Sequence, residues 1–342
     1  MDNSLGDSWL DLSDFRSRDV NSNDPKQPSN DNFMETMVSS RYGDAKLIQI
    51  GLSELATSTS TKTFEGVKHV IFLLPGNPGI VNFYTNMMKK LYKKVKIPII
   101  GLSHPGLWKD GAHSVVEPIT CRMQVLHKLD FIEEYIPSDV KLILMGHSIG
   151  GFFCLEIMKG IVDRDRVVHS VLLMPALNDL RHSIGGKIFA VVDFFSWLFY
   201  MFIFAVSCLP ETIMLRGFRT LLSLTMDDID EETLKLSSEL RSVKLGQNCL
   251  ALGRDEMKQV AQRDDLFIRR NLNKLSFIYA EKDEWIPNRL VSDLEKDFPY
   301  ADINTLKGTV HTFILDNKMT DDVIQVIASK LRPFVLNKPA TE

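Results

Sequence analysis

The chain has 342 residues, of which 44% are hydrophobic and 25% charged, enough material for a large buried core in one large or two small domains. Its formal charge of −4 offers no basic field for a nucleic-acid backbone, so that partner class is excluded. Cys121, Cys154, Cys208 and Cys249 form no CxxC pair and no metal-ligand spacing with histidine, so neither a metal site nor a disulfide framework is expected, and no cofactor is implied.

Residues 1–40 carry eight acidic side chains against three basic ones, are rich in Asn, Asp and Ser, and show no sustained apolar period. Such a segment is expected to remain a disordered acidic tail. It also lacks a basic stretch followed by an apolar one, so no secretory leader is expected and a compartment facing the cytosol is favoured. Short runs rich in Ile, Leu and Val then follow at residues 46–50, 69–74, 97–102, 140–145 and 167–174, the composition of strands buried on both faces. Residues 82–95, 118–135 and 148–161 have apolar side chains at three- and four-residue spacing and read as helices between them. The alternation predicts an α/β fold with a doubly wound, mostly parallel sheet. It stops after Met174 and resumes with a strand at 275–280 and a final one at 302–306. The expected organisation is therefore a core in two parts, 41–175 and 274–342, interrupted by a helical insertion over 176–273.

One motif stands at a strand-to-helix junction. Gly146-His-Ser-Ile-Gly150 directly follows the apolar run 140–145 and opens the helix at 148–161. In that context G-x-S-x-G lifts a serine hydroxyl above the sheet edge on a strained turn, and the glycines leave room where strand and helix crowd together. Ser148 is the expected nucleophile. A hydroxyl needs a base, and on this kind of elbow the chain order is serine, acid, histidine, which leaves His169, His182 and His311 downstream. His311 follows the last strand, at a carboxyl end, and is the expected base. The acid that orients its imidazole is expected in Glu281-Lys-Asp-Glu284, with Asp283 preferred by its spacing from the strand and Glu281 and Glu284 as possible solvated charges. The developing oxyanion needs two backbone donors: Ile149, just after the nucleophile, and Asn77 in the loop Pro75-Gly-Asn-Pro-Gly79 after the strand 69–74. His147 and His104 read as structural, with the pocket rim as an alternative place for His104.

Together Leu74-Pro-Gly-Asn-Pro-Gly79 with Phe83-Tyr84, Gly-His-Ser-Ile-Gly-Gly151, Glu281-Lys-Asp-Glu-Trp-Ile-Pro287 and Val310-His-Thr-Phe313 resemble the lipid droplet-associated hydrolase family over roughly residues 68 to 330. The resemblance implies an α/β-hydrolase fold, residence on lipid droplets and the endoplasmic reticulum at the cytosolic face, and hydrolysis of a sterol ester or other lipid ester. It leaves open a droplet-bound scaffold or tether with little turnover, and acyl transfer through the same residues.

Within the insertion, residues 188–209 hold one charge, Asp193, and eight aromatics. One helix of that length would reach about 33 Å, enough to cross a bilayer. A single crossing would put Ser148 on the opposite side from Asp283 and His311, so the segment is expected to lie in the interface or to enter one leaflet and return, continued by the apolar stretch 213–224. A lid packed inward over the site is the alternative. Eight aromatics exceed what one helix face hides, which favours contact with lipid.

Overall fold

The computed structural model describes residues 16–18, 31–57, 62–108, 112–115 and 118–335. Among them nine strands form one sheet: β1 (Arg16–Arg18), β2 (Met34–Ser40), β3 (Gly43–Ile50), β4 (His69–Leu74), β5 (Ile99–Leu102), β6 (Lys141–His147), β7 (Val167–Leu173), β8 (Leu275–Lys282) and β9 (Asp302–Val310). Their order across the sheet is β1-β2-β3-β5-β4-β6-β7-β8-β9. The first three run antiparallel to their neighbours, and every pair from β5 to β9 is parallel. The central strands are buried along nearly their whole length, as their largely apolar composition requires.

Helices α1 (Thr85–Val95), α2 (Cys121–Tyr135) and α3 (Ile149–Gly160) follow β4, β5 and β6. The Thr120 hydroxyl accepts the Met123 N–H and fixes the start of α2. Between β7 and β8 the described residues form α4 (Ile184–Phe194), α5 (Ser196–Ser207), α6 (Glu211–Leu222), α7 (Glu231–Leu236), α8 (Val243–Gln259) and α9 (Asp265–Asn271). The chain ends with α10 (Asn288–Asp297) after β8 and α11 (Asn317–Leu331) after β9. Helix α1 packs against α11 and α2 against α3, covering the sheet.

The structure changes the sequence reading in two places. The acidic tail assigned to residues 1–40 lies mostly outside the described residues, but its last part is β2, paired residue for residue with β3 from Met34 opposite Gln49 to Ser40 opposite Gly43. Only part of β2 is buried, so its composition reads as polar, and the hairpin is closed by Gly43 at φ +119°, where a Cβ would lie 2.8 Å from Val115 Cα.

The second change concerns the apolar run 188–209, which is not one helix. Helices α4 and α5 meet at 87° around Phe195, and no single helix among the described residues is long and apolar enough to cross a membrane. The bend follows from packing on α8. A Cβ on Gly253 would lie 2.4 Å from the Phe189 ring, and one on Gly246 would lie 2.5 Å from Ile203 Cδ1. Two glycines seven residues apart share one face of a helix, so α8 offers one small-residue position to α4 and another to α5. The outer faces remain uncovered: Phe194, Trp197 and Phe202 are 78%, 59% and 65% exposed.

Candidate active site

The parallel strands bring their carboxyl ends to one edge, and there β4 and β6 deliver two loops to the same point. Ser148 follows β6 at φ +55°, ψ −121°, outside the regions that side chains ordinarily adopt. The turn is held by the Ser148 N–H on the Leu173 carbonyl (2.9 Å) and by Gly151 and Ala176 N–H groups on the Ser148 carbonyl (2.9 and 3.1 Å). Its glycines are steric necessities: a Cβ on Gly146 would stand 2.1 Å from the Gly150 carbonyl oxygen, and one on Gly150 would stand 2.3 Å from that of Leu74.

His311 directly follows β9, with Nε2 3.0 Å from Ser148 Oγ. Its Nδ1 lies 2.8 Å from Asp283 Oδ2. The other carboxylate oxygen of Asp283 accepts the Trp285 and Ile286 N–H groups, both at 2.8 Å, so the acid is locked in orientation and its side chain is 1% exposed. With Asp283 on Nδ1–H, the Nε2 lone pair faces the serine hydroxyl, the tautomer a general base requires. The other downstream histidines lie elsewhere: His169 shares a hydrogen bond with Ser276 Oγ (3.0 Å) within the sheet, and His182 is exposed and paired with Asp179. Of the neighbouring acids, Glu281 accepts the Gly308 N–H (2.9 Å), and Glu284 is exposed.

The loop after β4 runs close to the nucleophile, since a Cβ on Gly76 would lie 3.0 Å from Ser148 Cβ. The Gly76 N–H is occupied by the Tyr84 hydroxyl oxygen at 3.0 Å. Asn77 turns its side-chain amide away, donating to the Cys249 carbonyl at 3.1 Å, so any donor it offers to Ser148 is its main chain. Ile149 is the first residue of α3, where an N–H has no intrahelical acceptor.

A buried polar chain behind the serine was missed in the sequence. Tyr84 Oη lies 2.7 Å from His147 Nδ1, and His147 Nε2 lies 3.0 Å from the His311 carbonyl oxygen. The carbonyl only accepts, so His147 carries its proton on Nε2 and Nδ1 accepts from Tyr84. Burial pushes His147 down to about 3, the neighbouring His311 lowering it further while the bond to the His311 carbonyl opposes the shift. Burial raises the Tyr84 phenol well above its ordinary value. The chain thus ties the Gly76 loop to the His311 loop through neutral groups. His104 is wholly buried against Gly79 and Phe153, away from the rim.

Ser148 and His311 open into a cavity of about 380 Å3 whose walls are largely apolar, among them Phe83, Phe189, Phe199 and Leu240. Glu256 of α8 reaches the same cavity. Among the described residues no group of three or more His, Cys, Asp or Glu side chains is placed to hold a metal ion.

A family model described as lipid-droplet associated hydrolase matches residues 67–314. A lipid droplet-associated hydrolase from Rattus norvegicus is 35% identical, the match covering 72% of this chain and 80% of that protein. One from Gallus gallus is 33% identical with the same coverage. Among solved structures, a serine hydrolase from Cycloclasticus zankles superposes with a TM-score of 0.60 at 12% identity, over 90% of this chain and 100% of that one, a likeness of fold alone.

Proposed function

Because the chain belongs to the lipid droplet-associated hydrolase family, we propose that it is a serine hydrolase that draws a hydrophobic ester from a lipid surface and cleaves it through Ser148, His311 and Asp283. The observation that carries this reading is the continuous hydrogen-bonded line from Asp283 to His311 to Ser148 at the mouth of an apolar cavity. His311 Nε2 takes the serine proton as Oγ attacks the ester carbonyl, and Asp283 stabilises the imidazolium that forms. The tetrahedral oxygen lies against the main-chain N–H groups of Ile149 and Asn77, with the α3 N-terminus favouring its charge. Collapse gives the proton from His311 to the leaving alcohol and leaves an acyl-serine. Water, activated by the same histidine, releases the acid.

The insertion serves as lid and anchor. Phe189 and Phe199 line the cavity while Phe194, Trp197 and Phe202 of the same helices face outward, so α4 and α5 have one side on the substrate and the other on the medium. An exposed aromatic face of this size suits insertion into the boundary layer of a lipid droplet or of the endoplasmic reticulum, from the cytosolic side. Such a surface binds in plane and keeps Ser148 and His311 on one side. The substrates in this reading are sterol or other lipid esters. Fatty-acid release from emulsions of defined lipids tests it: the unaltered chain liberates acid, and Ser148→Ala does not. Equal release by both would overturn the mechanism.

A further inference from the structure

Glu256 lines the cavity of the candidate active site and has no part in the hydrolysis just described. It is 6% exposed, lines the cavity that holds Ser148, and its Oε1 has no hydrogen-bond partner. A buried carboxyl oxygen without a partner costs stability, and in a substrate cavity a ligand group would complete the carboxyl. Its position narrows that group. The Asn77 side-chain amide donates a hydrogen bond to the Cys249 carbonyl of α8 and also lies against the Glu256 carboxyl, while the main chain of the same loop packs on Ser148. Glu256 and Ser148 line the same cavity and flank the same loop, so the ligand group that meets the carboxyl belongs to the substrate seated at Ser148.

We propose that Glu256 is a specificity-determining residue that hydrogen-bonds a free hydroxyl close to the cleaved ester, so that the preferred substrates are hydroxyl-bearing lipid esters of the partial-acylglycerol type rather than fully esterified lipids. This rests on the hydrolase reading above and narrows its substrate class. A hydroxyl suits the site because it both donates and accepts. Burial pushes the Glu256 carboxyl up to about 7, the Asn77 amide opposing the shift and Asp255 adding to it, so both protonation states occur near neutrality and a hydroxyl can bond either. The groups around it are Asp255 and Cys249 from α8, Cys121 from α2, Asn77 from the loop after β4, and His147 and His311 across the cavity. Burial raises both thiols, which stay neutral.

The test compares kcat/KM for 1-mono-oleoylglycerol with that for the same ester carrying its two hydroxyls as methyl ethers, in identical mixed micelles. The unaltered chain prefers the hydroxylated ester by about tenfold or more, from the roughly 1–3 kcal/mol that one buried acceptor left unpaired by the methyl ether costs. In Glu256→Leu the preference falls to within about twofold. Glu256→Gln, which keeps an accepting oxygen and the shape, retains most of it. In the unaltered chain the preference rises as pH passes upward through about 7, because the carboxylate is the stronger acceptor, and in Glu256→Gln it is flat. Groups common to both reactions cancel in the ratio. A preference near one in the unaltered chain, or an undiminished one in Glu256→Leu, overturns the proposal. Should Glu256→Leu not fold, a pH-independent preference in the unaltered chain does so. Cleavage of both esters at equal rates refutes this assignment alone, whereas cleavage of neither, with Ser148 unlabelled by a fluorophosphonate, refutes the hydrolase reading as well.

Discussion

Replacing Phe194, Trp197 and Phe202 together by serine separates lipid binding from folding. The three side chains are 78%, 59% and 65% exposed, so roughly two-thirds of their apolar surface awaits burial. Full burial of such a side chain is worth about 1.5–3 kcal/mol, so each contributes about 1–2 kcal/mol on entering a lipid layer, and the three about 3–6 kcal/mol. At about 1.4 kcal/mol per decade, partitioning onto lipid falls roughly a hundredfold to ten-thousandfold. In water the same changes touch little, and each shifts stability by about 0.5 kcal/mol or less. Flotation with phospholipid-coated triacylglycerol droplets measures the first quantity and a thermal melt the second. Retained flotation with an unchanged melting temperature would show that α4 and α5 are not the anchoring face.

Three further outcomes follow from the buried groups. Tyr84→Phe strips partners from the Gly76 N–H and from His147 Nδ1, at about 1–3 kcal/mol for each group left unpaired, and lowers kcat more than it raises KM; unchanged steady-state kinetics would dissociate this hydrogen-bonded chain from catalysis. Gly253→Ala drives the Phe189 ring toward the cavity, so turnover of long-chain esters drops several-fold relative to a short-chain ester, and an unaltered chain-length profile would contradict the packing. Unfolded histidine takes a proton near about 6.5, whereas folded His147 does so only at about 3, and burial likewise lowers His104 and His127. The unfolded state therefore binds more protons between these values, and the urea midpoint falls as pH drops below about 6.5. Glu256 has the opposite sign: its raised value contributes stability that is full below its unfolded value of about 4.5 and is lost as pH rises through about 7. Glu256→Gln consequently steepens the acid decline, and a midpoint that is flat or rises toward pH 4.5 in the unaltered chain would refute the assignment.

What the sequence reveals here is set by how local the cause is. Strands β4 and β6 were legible because burial on both faces demands apolar runs, and the elbow because a tight strand-to-helix turn demands Gly146 and Gly150. His311 and Asp283 could be chosen by chain order and by their places at strand ends, and the structure brings both to Ser148. Strand β2 was hidden because its half-exposed pattern merges with the polar segment before it. The bend at Phe195 has no proline or glycine to announce it, since its cause lies fifty residues on, in the faces that Gly246 and Gly253 present. The Tyr84–His147 chain and Glu256 escaped for the same reason: each acquires its meaning from partners that only the folded chain places beside it.

The most direct measurement is the site and rate of covalent labelling by a fluorophosphonate, read by mass spectrometry on the intact chain and its peptides. The account predicts one adduct on the peptide containing Ser148, none on that peptide in Ser148→Ala, and labelling slowed by about a hundredfold or more in His311→Ala, where the base is gone. An unlabelled Ser148 in the folded, unaltered chain, or labelling that is indifferent to His311, would contradict it.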